Sequence, residues 1–274
     1  MATAATMPTL RASRPDALSG TPRAHAIDRW IFVFMAAWFI AIVLAGFIPS
    51  SLMKMEMVRS GMRPPFPLIM HLHAALMGSF LLLLLAQTWL MATGRSRQHM
   101  TLGLASLVIA PAIVIVGFML APTMYLQMVD ALQTAPPDMR ERIQERMLHS
   151  ENIKLIQIRV GILFPLFLII ALKARRRNAG LHKRMMILAT AIPLPAGIDR
   201  IPWLPTTLPG SPVSPDLYTL AAVLPMFAWD VVRNRTIHPA YVIWLALSLP
   251  LTIALHALWD TPWWHATARA MMGV

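Results

Sequence analysis

The chain has 274 residues, of which 57% are hydrophobic and 13% are charged, with a mean hydropathy of +0.59 and a formal net charge of +12. A soluble domain needs a larger charged surface than this, so the composition indicates an integral membrane protein. The absence of cysteine excludes disulfides, thiol chemistry and iron–sulfur clusters, so that histidine, methionine or carboxylates must hold any redox cofactor.

Residues 1–28 are rich in Ala, Thr, Ser, Pro and Arg and contain no apolar core, which predicts a flexible tail and not a signal peptide. Residues 29–260 contain seven apolar segments near the ~20 residues that cross a bilayer. The segments are Trp30–Phe47, Pro67–Met91, Leu102–Ala121, Leu155–Leu172, Met185–Ile198, Leu217–Val232 and Tyr241–Trp259. We therefore expect an all-α membrane protein with seven transmembrane helices and a four-helix core from helices two to five.

The distribution of Lys and Arg predicts the orientation of these helices. The side that holds the N-terminus collects fourteen basic residues and the other side eight. The positive-inside rule then places the N-terminus inside and the C-terminus outside, in a bacterial inner membrane, with residues 261–274 as a short outer tail. The net positive charge is interpreted as basic residues at the cytoplasmic ends of the helices that face anionic lipid headgroups, because the apolar segments leave no soluble basic domain that could bind nucleic acid.

Two outer segments are more than linkers. Residues 122–152 contain helix formers of mixed charge after an Ala-Pro-Pro break, which predicts a short amphipathic helix leading into the fourth span. Residues 199–216 hold five prolines, so we expect an ordered or partly re-entrant loop there.

The histidines lie at the ends of the apolar segments. His99 and His182 each precede a segment on the cytoplasmic side, at matched depth, and small residues follow them on the same helix faces. His71 and His73 lie in the second segment, where a spacing of two places their rings about 200° apart, so both cannot face one metal. Histidines at the ends of membrane helices can hold a metal, carry protons or contact lipid headgroups.

The outer half of the predicted helix bundle contains a buried arginine. Arg159 lies inside the fourth span and needs a carboxylate or an anionic ligand, for which Asp199 is the best available partner. This pair is either a structural clamp or one side of a polar chamber. The chamber would add His71 or His73, Gln157 and Arg200 around a quinone, an anionic lipid or another amphipathic molecule.

The runs HLHAALMGSFLLLLLAQTWL, RSRQHMTLG and LHKRMMILATAIPLPAGIDR carry a resemblance. They resemble, over residues 65–200, a family of bacterial multi-pass membrane proteins of unknown function. The histidine pattern also resembles the two-haem transmembrane cytochromes b that accept electrons from ascorbate. That resemblance implies haem b between His99 and His182, with Arg97, Lys183 and Arg184 near its propionates. It also implies an outer haem between His71 or His73 and His149.

The outer half departs from the two-haem pattern. His71 lies inside its span, whereas His149 precedes its own by six residues, an offset of about 10 Å at ~1.5 Å per residue. We therefore expect one haem, in a membrane redox protein that moves electrons between a quinol-like reductant and an acceptor. The alternative is a non-haem transporter or a lipid- or ligand-binding protein.

Two other classes of protein are disfavoured. Met53, Met55 and Met57 would suit Cu(I), but the same alternation with charged residues is typical of an interfacial segment, so copper is not assigned. A retinal photoreceptor needs a Schiff-base lysine in its last span, and residues 241–259 contain none.

Overall fold

A computed structural model of the protein describes residues 25–274, so most of the predicted tail at 1–28 lies outside the described residues. Those residues form helices and no strand. The helices are α1 (Ala26–Arg59), α2 (Leu68–Ala92), α3 (Ser96–Leu102), α4 (Ser106–Thr134), α5 (Pro137–Ala174), α6 (Ala179–Ala191), α7 (Pro195–Ile198), α8 (Val213–Asn234), α9 (Pro239–Leu258) and α10 (Pro262–Met272). A 3₁₀ turn, Gly103–Ala105, joins α3 to α4.

Five helical segments are long and apolar enough to cross a membrane: α1, α2, α3 with α4, α5 and α9. They have 34, 25, 39, 38 and 20 residues, against the ~20 that a bilayer requires. Their number supports a multi-pass membrane protein, and they coincide with the first four predicted segments and the last one.

The fifth and sixth predicted segments do not form helices of this kind. The fifth divides into α6, which has 13 residues and so rises about 20 Å, and the single turn α7. The sixth forms α8, which has 22 residues but carries Asp216, Asp230 and Arg233. The prolines at 193 and 195 end α6 early because they remove helix hydrogen bonds.

The buried core contains side chains of all four helices predicted to form it, but it is centred on α5, α6 and also α1, which the prediction had left out. Met185, Ile187 and Leu188 of α6 are fully buried, and Phe39 of α1 and Phe167 of α5 pack in the same cluster. The sequence pattern was misleading because α1 is apolar around its whole circumference, so periodicity alone does not separate its lipid side from its protein side.

The segments flanking the bundle also differ from the prediction. The helix predicted after the Ala-Pro-Pro break begins at Pro137 and leads into the fourth span, but it is the first part of α5 and not a separate short helix, and residues 122–134 continue α4. The predicted C-terminal tail contains α10, whose first turn is capped by the Thr261 side chain accepting from the Trp264 N–H.

The bundle has two ends that concern function. We call the end that carries His99 and His182 the paired-histidine end, and the end that carries residues 199–212 the loop end. Helix α2 begins at the loop end and leads to α3 at the other.

Candidate functional site

The paired-histidine end brings together the two residues that the sequence singled out. His99 lies on α3 and His182 on the first turn of α6, and their ring centres are 6.4 Å apart with an interplanar angle of 79°. Both side chains are half-buried. Two imidazoles from separate helices therefore face each other at the mouth of the bundle.

Each of these rings is oriented by a backbone carbonyl. His99 Nδ1 lies 3.3 Å from the Gln87 carbonyl oxygen, and His182 Nδ1 lies 2.8 Å from that of Ala171. When Nδ1–H donates to a carbonyl, the lone pair is on Nε2, which is how proteins commonly orient metal-bound histidines. Neither Nε2 makes a hydrogen bond within residues 25–274, so both are available to a ligand.

A polar side chain without a partner lies beside His99. The amide oxygen and nitrogen of Gln87 are both buried and have no hydrogen-bond partner in the described part of the chain. Gly103 leaves room for this amide, because a Cβ there would lie 3.3 Å from Gln87 Nε2. A buried amide left unpaired is costly, so this position favours a ligand that completes its hydrogen bonds.

An apolar cavity of 330 Å³ opens between α4 and α5, next to the histidine pair. Its walls include Ser106, Ala110 and Met186. Met186 is one turn after His182, so it lies on the face of α6 that carries that imidazole. The volume is within the range of small-molecule sites, about 300–1,000 Å³.

The arginines predicted to flank the pair have different surroundings. Arg97 is exposed on α3, two residues before His99. Arg184 is 2% exposed and makes a bidentate ion pair with Asp230, with both bonds at 2.6 Å. Its remaining nitrogen donates to the Gly180 carbonyl oxygen, and Tyr241 also donates to Asp230. The predicted role of Arg184 near a propionate is therefore not supported, because its guanidinium is engaged within the protein.

The predicted pairing of Arg159 with Asp199 was wrong. Arg159 Nη2 donates to Asp216 Oδ1 at 2.6 Å, and Nη1 donates to the Thr252 hydroxyl at 3.0 Å. His256 Nε2 lies 3.0 Å from the other Asp216 oxygen. Asp216 was overlooked because the proline-rich stretch around it was interpreted as loop, whereas it lies in the first turn of α8 and faces α5 and α9.

The other residues of the predicted chamber are separated. His71 is exposed against Phe66, with ring centres 6.2 Å apart. His73 faces α4, where a Cβ on Gly117 would lie 3.5 Å from its ring, and its buried Nδ1 has no partner within residues 25–274. The two rings thus occupy different surroundings, as their spacing predicted.

Asp199 and Arg200 follow α7 at the loop end, where Arg200 stacks on Phe47 of α1 with its Cζ 4.9 Å from the ring centre. They lie near Lys54 and His149 and not near Arg159.

The sequence did not indicate a second polar cluster, which is centred on Glu151. This carboxylate is 2% exposed, accepts from the Tyr125 hydroxyl at 2.5 Å and lies 2.6 Å from His265 Nδ1. The other His265 nitrogen lies 3.1 Å from Asp260 Oδ1, and Asn152 donates to that same oxygen. These hydrogen bonds hold the pKa of Asp260 below its usual value. In the sequence, the amphipathic pattern of residues 262–272 was the signal that could have indicated a helix packed against this cluster.

Within residues 25–274 no three histidine or acidic side chains group to hold a metal ion, so the two imidazoles are the donor set at the paired-histidine end. No protein-family model, curated protein or solved structure matches the chain.

Proposed function

We propose that the chain is a membrane-embedded redox protein that binds haem b between His99 and His182 and moves electrons between a quinol-like reductant and an acceptor. A resident b-type haem would supply a one-electron couple. The proposal rests on the geometry of the histidine pair at one end of an apolar bundle.

The separation of the two rings is the observation that carries the proposal. A metal with bonds of about 2 Å to both Nε2 atoms sets the ring centres roughly 6 Å apart, and the observed separation is 6.4 Å. The carbonyls of Gln87 and Ala171 leave both Nε2 atoms available as ligands. The donor set therefore fits a haem iron, which His99 and His182 would hold.

The surroundings of the pair support the same proposal. The cavity wall beside Met186 is apolar and excludes water from a macrocycle or a quinol ring. The exposed Arg97 is positioned to meet a carboxylate at the membrane surface. The quinol-like reductant is assigned to the cavity, because Arg159 is engaged by Asp216 at the site where the sequence predicted the substrate.

The direct test is a reduced-minus-oxidised spectrum of the protein purified from cells supplied with haem precursor. We expect a Soret shift and an α-band, and we expect His99→Ala and His182→Ala each to abolish them. The matched control is His71→Ala, which removes an exposed histidine outside the pair and should keep the spectrum. A silent spectrum in the wild-type protein overturns the haem proposal, and an unchanged spectrum in His99→Ala overturns the ligand assignment.

The alternative is a non-haem transporter or ligand-binding protein, and the unpaired amide of Gln87 favours it. In that case an amphipathic molecule binds beside Gln87 and completes the hydrogen bonds of its amide. We then expect a soluble ubiquinone analogue to raise the melting temperature of the wild-type protein. Gln87→Leu should remove most of that increase, since leucine fills the space but cannot hydrogen-bond. A haem-free protein that no quinone analogue stabilises would contradict this alternative.

For the topology we propose seven membrane segments, with the N-terminus inside a bacterial inner membrane. Two of the seven, α6–α7 and α8, are not among the five helical segments that are long and apolar enough to cross a membrane. The basic residues on the N-terminal side support this orientation. Because the chain has no cysteine, single cysteines report on sidedness without background. Thr93→Cys should react with an impermeant maleimide only after cell lysis, whereas Ser60→Cys should react in intact spheroplasts. The reverse pattern would invert the orientation.

A further inference from the structure

Four basic side chains converge at the loop end without ion-pair partners. They come from the end of α1, the loop after it, the N-terminal part of α5 and the turn after α7, and they are Lys54, Arg63, Arg146 and Arg200. Lys54 is close enough to the other three for their charges to act on it. None of the four has a carboxylate oxygen within 4.0 Å in the described part of the chain.

Four other arginines of the bundle do have acidic partners. Arg159, Arg184, Arg233 and Arg269 each contact a carboxylate at 2.6–3.3 Å. Of the charges that act on Lys54, those of Arg63, Arg146 and Arg200 are positive and that of Asp199 is negative, so these groups and Lys54 together carry a formal charge of +3. Like charges held together repel one another, so the arrangement favours an anion that binds among them.

Arg200 is fixed in place by a close helix contact. Gly46 of α1 lies against Gly197 of α7, and a Cβ on Gly46 would overlap the Gly197 carbonyl oxygen. The same Cβ would lie 3.2 Å from Arg200 Cβ, so the absence of a side chain lets α7 bring Arg200 onto α1. There the guanidinium stacks on Phe47 and donates to the Ala196 carbonyl oxygen. Burial lowers the pKa of Arg200, and the nearby Asp199 carboxylate offsets only part of this effect.

A histidine supplies a second and independent observation. His149 of α5 faces the charges of Asp199 and Arg200, and its buried Nδ1 has no hydrogen-bond partner within residues 25–274. Arg63 is also positioned by an aromatic ring, with its Cζ 4.8 Å from the Phe66 ring centre. The site therefore combines fixed guanidinium groups, an ammonium group and an unsatisfied imidazole nitrogen.

We propose that these residues form a binding site for a phosphate group, with Lys54, Arg63, Arg146 and Arg200 as the charged donors and His149 as a hydrogen-bonding partner. Arginine presents several N–H groups that match phosphate oxygens, and lysine adds a compact positive charge. The group belongs either to an anionic phospholipid or to free phosphate. The site does not depend on the proposed haem, because it lies at the other end of the bundle.

The test measures thermal unfolding of the full chain in a neutral detergent at constant ionic strength. One arm adds inorganic phosphate, with sodium chloride as its control. The other adds mixed micelles of phosphatidylglycerol, with phosphatidylcholine as its control. A ligand that binds the folded state raises the melting temperature with its concentration. Protection by both probes assigns the site to the phosphate group itself, and protection by phosphatidylglycerol alone assigns it to a lipid headgroup.

The variants separate the site from general charge effects. We expect Lys54→Gln and Arg200→Gln each to weaken binding of the protective probe at least tenfold, with Arg200→Lys intermediate. The matched control is Arg177→Gln, which removes one exposed positive charge at the other end and should bind as the wild type does. Lys54 is half-exposed, so Lys54→Gln keeps the test valid if Arg200→Gln fails to fold. The phosphate site is overturned if neither probe protects the protein, or if Arg177→Gln weakens probe binding as much as Lys54→Gln does. The haem spectrum of the same samples tests the haem proposal separately.

Discussion

The charge of Arg184 at the paired-histidine end is compensated differently from the charges of the proposed phosphate site at the loop end. At the paired-histidine end the buried arginine Arg184 is neutralised by Asp230, and Arg233 contacts Asp28 at 3.0 Å. The imidazoles of His99 and His182 are left with open nitrogens. At the loop end the four residues of the proposed phosphate site have no carboxylate oxygen within 4.0 Å in residues 25–274, whereas the nearby Arg59 contacts Glu56, and Arg200 stacks on an aromatic ring.

This difference shows that a charged residue near a membrane surface does not by itself mark a site. Ion pairs at the paired-histidine end hold helices together, so the chemistry there depends on the uncharged rings. At the loop end the unpaired charge itself is the feature available for binding. The partner of each charge, and not its position in the sequence, separates the two cases.

The largest effect is expected where a buried ion pair loses one member. Arg184→Met should lower the free energy of unfolding by about 3–5 kcal/mol, because it leaves the Asp230 carboxylate buried and uncompensated. Lys54→Gln at the loop end should change it by no more than about 0.5 kcal/mol, since no ion pair is lost. Unfolding in detergent measures both variants.

The double variant Arg184→Met/Asp230→Leu is the control, and it should recover most of the stability lost in Arg184→Met, because no charge remains buried there. If Lys54→Gln were as damaging as Arg184→Met, the contrast between the two ends would be wrong.

A smaller effect is expected from closing the space between α1 and α7. In Gly46→Ala the new methyl group overlaps the Gly197 carbonyl oxygen, which should cost about 1–3 kcal/mol. It should also weaken phosphate-group binding, because Arg200 moves with α7 while its charge is kept. Calorimetry or thermal unfolding with and without the protective probe measures both effects.

Gly78→Ala provides a matched control for this prediction, since a Cβ at Gly78 meets no atom within 4 Å. It should leave binding unchanged and should stabilise α2 by about 0.5–1 kcal/mol. Equal behaviour of the two variants would contradict the role assigned to the α1–α7 contact.

The smallest effect concerns the cluster that holds α10. His265 and Asn152 lower the pKa of Asp260, so its charge stabilises the folded state above pH 3.8 and this contribution is lost as the pH falls below that value. Asp260→Asn should cost about 0.5 kcal/mol at pH 7, since the carboxylate is 70% exposed and solvent screens its charge. The difference from the wild type should shrink toward pH 3.

Asparagine is a conservative choice at this position because Asp260 has a φ of 60°, a conformation that asparagine also adopts. Hydrogen exchange of residues 262–272 at several pH values measures the effect. A constant difference across that pH range would contradict the assigned role of the carboxylate.

Part of the candidate site was predictable because it depends on local sequence. His99 and His182 each precede an apolar run on the same side of the membrane, which predicted their matched depth, and the structure places their rings 6.4 Å apart. The spacing of His71 and His73 likewise predicted their different faces. Helix geometry fixes such relations within a few residues, so they needed no knowledge of the packing.

The partners of the charged residues were not predictable in this way. The sequence predicted Asp199 as the partner of Arg159, and the observed pairing with Asp216 depends on how α8 packs on α5 and α9. Asp230 is 46 residues from Arg184, and Glu151 is 114 from His265. Contacts at these separations follow from the mutual rotation of helices, which an all-round apolar pattern does not specify.

The sequence by itself determined that the chain is helical and apolar enough for a membrane, because this follows from its composition. It also placed the histidines at the helix ends and the basic clusters, because their positions follow from spacing along single helices. The tertiary structure decided which charges are paired, because only close packing of the helices brings side chains that are distant in sequence together. One such close contact is that of α7 with α1 at Gly46. That packing separates the engaged arginines from the unpaired cations of the loop end.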